Sequence, residues 1–458
     1  MSNGLLYSAD YNWMTHEVRL LDKSGNVILR FFPDVVTDDI TKPLTFIAKQ
    51  GNPKIALRSE KYAINNGYEY MLSSRSGVWV PYTLGVSLPL KQGEAVSFRI
   101  SDRKMAQDSG HYVSFTANDG VIEAWNNVQS MVDVGDYTVT VPEYGLYHLF
   151  KECSSLIRAP KLPATTLTNS CYSGMFLGCT ALVQAPSLPA TALSRQCYSS
   201  MFFGCNSLKE APSLPATTLS TECYSDMFWG CTALTQAPSL PATILSKKCY
   251  QNMFRGCTAL TQAPSLPAME LEESCYEAMF KDCVSLTQAP SALPAIDAEP
   301  RCYFSMFEGC TSLIDAPTIA ATTCRVSADN YNNAHLSYMF RNCTALANPP
   351  EIHLTTLAYH ALYCMFMGCT SLIRAPRLPA MTLEEGCYLG IFKGCSSLTE
   401  ASIAATTTAT DALNIWLDGV AASGTVYADP SFTDLPTNSS SGIPQNWTRL
   451  PLSDYPTT

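Results

Sequence analysis

One motif recurs through the middle of the chain and constrains its fold more than any other feature. A clear copy runs Cys223-Tyr-Ser-Asp-Met-Phe-Trp-Gly-Cys231 and continues as Thr-Ala-Leu-Thr-Gln-Ala-Pro-Ser-Leu-Pro-Ala-Thr. The cysteine that follows each repeat phenylalanine stands at position 153, 179, 205, 231, 257, 283, 310, 343, 369 and 395. A period of about 26 residues is typical of a solenoid, in which each unit buries its apolar side only against its neighbours. We therefore expect a solenoid of about ten turns over residues 134–410.

Each copy divides into two parts with different apolar spacing. In the copy at 231–257, Leu245, Cys249, Met253 and Cys257 stand four residues apart, which predicts one face of a short helix that ends at Gly256. The earlier segment 234–241 is too short and too rich in proline for a helix, and it predicts a short strand or extended arc. Each turn of the solenoid is thus expected to combine a short helix with an extended segment, which makes it an α/β solenoid.

The nineteen cysteines follow the repeat as well. If 171–179 is helical, Cys171 and Cys179 are about 12 Å apart, beyond the reach of a disulfide. Like-positioned cysteines of neighbouring turns could come close enough to pair. A repeating slot and an odd count nevertheless favour small, buried, reduced thiols.

The string Phe-x-Gly-Cys-Thr-Ser/Ala-Leu, followed by an extended segment and a helix, resembles the BspA-like leucine-rich repeats of surface proteins from oral and gut anaerobic bacteria. The resemblance covers about 150–400, and it is to the subgroup that reads C-Y-x-x-M-F-x-G-C-T-S-L-x-x-A-P-x-L-P-A-T. It implies a leucine-rich-repeat fold and attachment to a surface. The copies depart from the pattern at His335 and Ala361, which replace a cysteine, and in a turn at 310–343 with seven extra residues.

The regions on either side of the repeats predict three further parts. Residues 41–133 contain strand-like runs at 46–58, 68–73 and 95–100, and they predict an all-β, sandwich-like domain. Through Trp79-Val-Pro-Tyr82 this stretch also resembles the domain that precedes such repeats in the same family. Within residues 1–40, the segment 17–30 predicts a β-hairpin with Ser24-Gly25 as its turn. This hairpin is a candidate anchor for the protein. Residues 411–458 are expected to cap the solenoid.

Composition and motif spacing disfavour nucleic-acid binding, membrane insertion, catalysis and metal binding. A net charge of -10 with only 15% charged residues disfavours nucleic-acid binding. No apolar stretch is long enough to insert in a membrane, and the first residues lack the pattern of a secretory signal. The six histidines form no catalytic spacing. His353, His360 and Cys364 lie near one another, but an irregular repeat explains them better than a metal site. We expect no enzymatic activity, cofactor or metal.

The extended segments offer the candidate binding face. Two rows of residues, one after each repeat leucine and one after each repeat proline, should align when the turns stack. The insertion is a second candidate, because binding residues favour loops on rigid scaffolds. The alternative is that these exposed positions are merely solvated. The candidate residues are Gln184, Gln236, Gln262, Gln288, Asp315, Asn348, Arg374 and Arg377 on the face, and Asp329, Asn330, Tyr331 and Asn332 in the insertion.

These features together predict a non-enzymatic structural or adhesion protein. A virion protein needs no export signal, so we expect a phage component, a tail or head fibre on the virion surface. Its partners would be a host surface protein or glycan and, through the N-terminal region, other virion proteins. The alternatives are an adhesin on a bacterial cell surface, a purely architectural spacer and a carbohydrate-active enzyme with paired carboxylates. The sequence leaves self-association into a homo-oligomer open.

Overall fold

The chain forms two compact units, Met1–Pro189 and Ala190–Thr458. The computed structural model describes residues 8–12, 14–15, 17–21, 24, 26–31, 39–60, 67–101, 111–133, 141–326, 333–439 and 441–456. The first unit contains two N-terminal sheets and the first repeats. The second unit contains the remaining repeats and the C-terminal segment.

The N-terminal segment forms a three-stranded antiparallel sheet. Its strands are β1 (Ser8–Asn12), β2 (Glu17–Leu21) and β3 (Val27–Phe31), in the order β1-β2-β3. The predicted hairpin is confirmed, since β2 pairs with β3 and Val18 faces Phe31. The turn residue Gly25 lies outside the described residues. Met14, between β1 and β2, is fully buried in a cluster with Ile47, and this contact fastens the small sheet to the following domain.

The next domain is one mixed sheet of seven strands in the order β10-β9-β4-β8-β5-β6, with β7 also paired to β4. Short 3-10 turns cover Ser73–Arg75 and Val128–Met131. The predicted strand runs are confirmed in β4, β5 and β8. The strands are β4 (Thr45–Glu60), β5 (Tyr68–Leu72), β6 (Val80–Pro81), β7 (Leu88–Pro89), β8 (Ala95–Ile100), β9 (Tyr112–Trp125) and β10 (Leu156–Arg158).

The seven strands form one continuous sheet, which bends back on itself along the long strands β4 and β9. The ring of Phe46 near the start of β4 lies 4.7 Å from that of Phe115, which pairs with Leu57 near the end of β4. β4 pairs with β9 along its length, but with β8 at its beginning and with β7 farther on. Its register shifts around Gly51, which has a φ of 72° and faces Gly120. A Cβ on Gly120 would lie 2.4 Å from the Gln50 carbonyl oxygen, so the close crossing requires glycine.

This sheet continues directly into the first repeats. Strand β10 of the first repeat pairs in parallel with β9, and the Phe115 amide donates to the Leu149 carbonyl at 2.7 Å. The ring of Phe115 stacks on Phe150 at 5.8 Å, and Phe150 stacks on Phe176 at 5.2 Å. The domain therefore covers the apolar end that the first repeat would otherwise expose.

The segment predicted as a helix is instead a ribbon of consecutive turns. In the copy at 246–257, the amides of Cys249, Met253 and Cys257 each donate to the carbonyl three residues earlier, at 3.0–3.2 Å. The alternate amides point to the next turn of the solenoid. Those of Tyr250 and Phe254 donate to carbonyls 25 residues later in the chain, at 3.0 and 2.9 Å.

The α/β prediction is therefore wrong, since the described residues contain no α-helix. The backbone reaches a positive φ at every fourth residue of the ribbon: 57° at Lys248, 53° at Asn252 and 69° at Gly256. A left-handed residue in each turn interrupts the run of α-helical dihedrals. Apolar residues do recur every four positions. A ribbon that repeats one turn every four residues places these residues on one side, just as a helix would.

The apolar side of each ribbon forms rows that run along the stack. The rings of Phe228, Phe254 and Phe280 lie nearly parallel, with centroids 5.6 Å apart. The rings of Tyr224 and Tyr250 stack at 5.8 Å and are buried. The tyrosine row is therefore part of the interior of the solenoid, where each turn covers the apolar surface of its neighbour.

The second unit is a β-solenoid with regular strands in about six turns. The prediction of ten regular turns is therefore not supported. Two strand pairs, β11–β13 and β12–β14, and one four-stranded sheet, β15-β16-β17-β18, are parallel. A 3-10 turn, Leu452–Asp454, follows. The strands are β11 (Ala292–Leu293), β12 (Asp297–Ala298), β13 (Thr318–Ile319), β14 (Thr323–Cys324), β15 (Arg374–Leu378), β16 (Glu400–Ile403), β17 (Gly424–Ala428) and β18 (Trp447–Pro451).

Proline explains why other copies contain only isolated bridges. The motif Ala-Pro-Ser-Leu-Pro lacks two amide donors, which interrupts a ladder. Even in β15, which contains Pro376, the register with β16 shifts between Arg374 and Arg377. Glu210 and Gln236, for example, form a single parallel bridge, and so do Gln262 and Gln288. Strands β16 and β17 form where the copies lack this motif.

The C-terminal segment continues the stack. Strands β17 and β18 extend the parallel sheet, and Trp416 is fully buried with its indole N–H donating to the Gly442 carbonyl at 2.8 Å. The indole N–H of Trp447 donates to the Ala421 carbonyl at the same distance. These two tryptophans tie the last segment to the turns before it.

The cysteines are all free thiols, and eighteen of the nineteen are buried. The thiol of Cys283 donates to the carbonyl of Phe254 at 3.0 Å, and that of Cys231 donates to Phe202 at 3.1 Å. Burial raises the pKa of both thiols to about 12. The repeat cysteine is thus a small packing residue that also satisfies a carbonyl of the preceding turn.

We predict that the thiols are inert in the folded protein, because a protonated, buried thiol is neither nucleophilic nor accessible. At pH 8, Ellman's reagent should label almost none of the cysteines in the native protein and all nineteen after denaturation. Rapid native labelling of several thiols, or an intact mass that shows disulfides, would contradict this prediction.

A second prediction tests the left-handed positions of the ribbon. Asp282 and Asn342 occupy the same place as Gly256, with φ of 62° and 58°. A Cβ on Gly256 would contact Gly230 at an ordinary 3.9 Å, so only the backbone conformation is tested. Gly256→Val should lower the free energy of unfolding by about 1–2 kcal/mol, and Gly256→Asn by clearly less. Urea unfolding measures both values, and an equal loss in the two variants would show that the left-handed turn is not what the position requires.

Candidate functional site

The extended segments place the two predicted rows along one face in the second unit. In the first row, parallel bridges join Gln288 to Asp315 and Asp315 to Asn348, and the pairing of β15 with β16 aligns Arg374 with Glu400. Gln236 and Gln262 are exposed in the same row. Stacking therefore brings side chains from separate repeats into one line, as the sequence predicts.

The remaining predicted residues have different positions. Gln184 belongs to the first unit, where it is exposed and bridges to Arg158. Four residues of the insertion, Asp329, Asn330, Tyr331 and Asn332, lie outside the described residues.

The middle of the face is a shallow groove lined by neutral polar groups and by the carboxylate of Asp315. Its volume is about 470 Å³, and Gln262, Gln288, Asp315, Ser265 and Ser291 line it. These groups offer hydrogen bonds but no cation. The Asp315 carboxylate already accepts from the Asn348 amide nitrogen at 2.6 Å, so neighbouring members of the row partly satisfy each other.

A larger groove of about 800 Å³ lies towards the C-terminal end of the same face. Its walls come from segments 347–355 and 374–379 and from Tyr455 and Pro456, close to the end of the chain. Pro349, Pro350 and Pro376 lack amide hydrogens and cannot extend a strand ladder between the two segments. The groove therefore opens where the chain cannot pair.

Two arginines in this groove have different environments. The Nε of Arg374 donates to the Glu400 carboxylate at 2.7 Å, and this hydrogen bond raises the pKa of the guanidinium. Arg377 is exposed and makes no ion pair with any residue that the structure describes. Arg377 is thus the cation of the groove that is available to a ligand.

An acidic and an aromatic side chain complete the groove. Glu351 has a side chain that is 82% exposed, and one carboxylate oxygen lies 3.7 Å from Nε2 of His353. The Tyr455 hydroxyl donates to the Ala375 carbonyl at 2.7 Å, and its ring packs edge-on against Tyr427 at 5.1 Å. Both contacts hold the aromatic ring at the side of the groove.

No sequence pattern marks Tyr455 as a site residue. It lies 80 residues from its hydrogen-bond partner and belongs to no repeat row, so no periodic signal marks it. Glu351 stands in the second row and His353 near an irregular repeat, but the binding prediction included neither. The one available signal was the double proline at 349–350, which interrupts the repeated motif.

The residues considered for metal binding do not converge. His353 lies in the groove, His360 stacks between Tyr359 and Tyr363, and Cys364 is buried with a raised thiol pKa. Within the described ranges, no group of three histidine, cysteine or acidic side chains is arranged to hold a metal ion. The same ranges contain no helix with the length and apolar character needed to cross a membrane.

Comparison with known proteins gives distant structural likenesses. No protein-family model matches the chain, and no curated protein matches it. A leucine-rich cell surface protein from Faecalibacterium prausnitzii is similar over 76% of this chain and 96% of its own, with 14% identity and a TM-score of 0.32. A leucine-rich repeat protein from Bacteroides ovatus covers 76% of this chain and 91% of its own, with 16% identity and a TM-score of 0.28. At such low TM-scores these likenesses carry no conclusion about function.

Proposed function

We propose that this protein is a non-enzymatic binding protein that presents one face of a rigid solenoid to a partner at a surface. The observation that carries the proposal is the alignment of polar side chains from separate repeats along one face, ending in a groove that holds an unpaired arginine. The interior rows are apolar and fully occupied with packing. These interior side chains are therefore not available for recognition, whereas those of the exposed face are.

The change in side chains along the face supports this proposal. The central repeats carry the same glutamine in the same place, whereas the groove brings together Asn348, Glu351, Arg377 and Tyr455. Binding pockets use placed polar groups to orient the ligand, and this groove is lined by polar and apolar groups in similar measure. Its volume of about 800 Å³ also lies within the usual range for a small ligand.

We propose further that the surface is that of a phage virion, with a bacterial cell surface as the alternative location. The N-terminal sheet supports an anchoring role, since β1 and β3 are its edge strands. An edge strand can pair with a strand of another protein. On its repeat motif, we also place the chain in the BspA-like subgroup.

The prediction is that purified protein binds host cells through the polar face. Gln262→Glu with Gln288→Glu adds two carboxylates beside Asp315 in the middle of that face and should reduce cell binding at least tenfold. The control is Ser199→Glu with Gln251→Glu on the turn ribbon, where both residues are half-buried, and thermal unfolding should show that both variants fold. This control should bind as the wild type does, as measured by flow cytometry with labelled protein.

Three results would decide against the proposal. Absence of binding to any host cell would favour the architectural role. Equal loss in the face variant and in the ribbon control would show that the face is not the binding surface. Release of sugar from a host glycan, abolished by Asp315→Asn, would favour the enzymatic alternative.

A further inference from the structure

We infer that the groove bounded by segments 347–355 and 374–379 and by Tyr455 binds an acidic glycan, and that Arg377 receives the carboxylate of its sugar. This inference rests on the proposed function and specifies its ligand class. The ligand is a short oligosaccharide that carries a uronic or sialic acid. The argument depends on the charge of the groove, on its backbone and on its walls.

The charges of the groove select an oxyanion. Arg374 is already paired with Glu400 at 2.7 Å, which leaves Arg377 as the exposed guanidinium without an ion-pair partner among the described residues. A planar guanidinium matches the two oxygens of a carboxylate and binds them through parallel hydrogen bonds. Guanidinium binds phosphate in the same way, so the ligand group that would satisfy Arg377 is an oxyanion, and in an acidic sugar that oxyanion is the carboxylate.

The backbone of the groove favours a sugar over a peptide. An extended peptide binds a sheet mainly through main-chain hydrogen bonds. Here Pro349, Pro350, Pro376 and Pro379 offer no amide donor, and the Tyr455 hydroxyl already occupies the Ala375 carbonyl. Strand β15 is also paired with β16 on one side. A continuous main-chain ladder is therefore limited here, and side chains supply much of the recognition, which suits a ligand rich in hydroxyl groups.

The walls fit the two faces of a sugar ring. The proline rings and the ring of Tyr455 give flat apolar surfaces that can cover the C–H face of a pyranose. The exposed carboxylate of Glu351 can accept hydrogen bonds from sugar hydroxyls, and the amide of Asn348 lies at the same groove. Pockets of this kind use apolar walls for contact and a few polar groups for orientation.

The test measures direct binding of the full chain to glucuronate- and sialate-containing oligosaccharides by isothermal titration calorimetry. The methyl ester of each sugar keeps the shape and removes the charge. We expect esterification to weaken binding about ten- to hundred-fold, the range for a hydrogen bond to a charged group. Arg377→Gln should cause a loss of the same size, and esterification should have little further effect on that variant.

The control variant is Arg195→Gln, since Arg195 is an exposed arginine of the turn ribbon with a side chain that is 63% exposed. It should bind the acidic sugars as the wild type does, and thermal unfolding should show that both variants fold. Equal affinity for acid and ester, or an unchanged affinity of Arg377→Gln, overturns the inference. If no acidic glycan binds while cell binding persists, the inference fails and the proposed function stands. If cell binding is absent as well, both fail.

Discussion

The structure depends on how the turn ribbon divides its amide hydrogens between hydrogen bonds within a turn and hydrogen bonds to the next repeat. One amide closes a local turn, and the next donates to the neighbouring repeat, as Met253 and Tyr250 do at 3.2 and 3.0 Å. An isolated repeat would leave the second set of donors exposed to solvent and would leave its phenylalanine and cysteine uncovered. The ribbon is therefore stable only in a stack, which is the one-dimensional coupling expected of a solenoid.

The same division sets what each residue can do. Side chains on the inner side of the ribbon are held in rows, where Phe254 stacks at 5.6 Å on both neighbours and Cys283 donates to a carbonyl of the preceding turn. Replacing them disturbs more than one repeat. The side chains of the extended segments are less constrained, because mainly isolated β-bridges join these segments to those of neighbouring repeats. Copies differ there, as at the double proline 349–350 beside the groove around Arg377.

The sequence identified the stacking, the packed cysteines, the strands of the N-terminal domain and the aligned polar rows, because each of these follows from spacing. It failed on the helix, since positions such as Leu245, Cys249 and Met253 have the same spacing in a four-residue turn repeat. The helix and the ribbon differ in the partner of the Tyr250 amide, which sequence spacing does not specify. Tyr455 was also missed, because a contact across 80 residues leaves no periodic trace.

The most direct test of the ribbon is a measurement of scalar coupling across hydrogen bonds by NMR, on deuterated protein labelled with ¹⁵N and ¹³C. The account predicts a coupling between the Tyr250 amide nitrogen and the carbonyl carbon of Cys275, in the next repeat. An α-helix would instead join the Tyr250 amide to the carbonyl of Ser246, four residues earlier. Observation of the Ser246 coupling would contradict the ribbon and the stacking argument built on it.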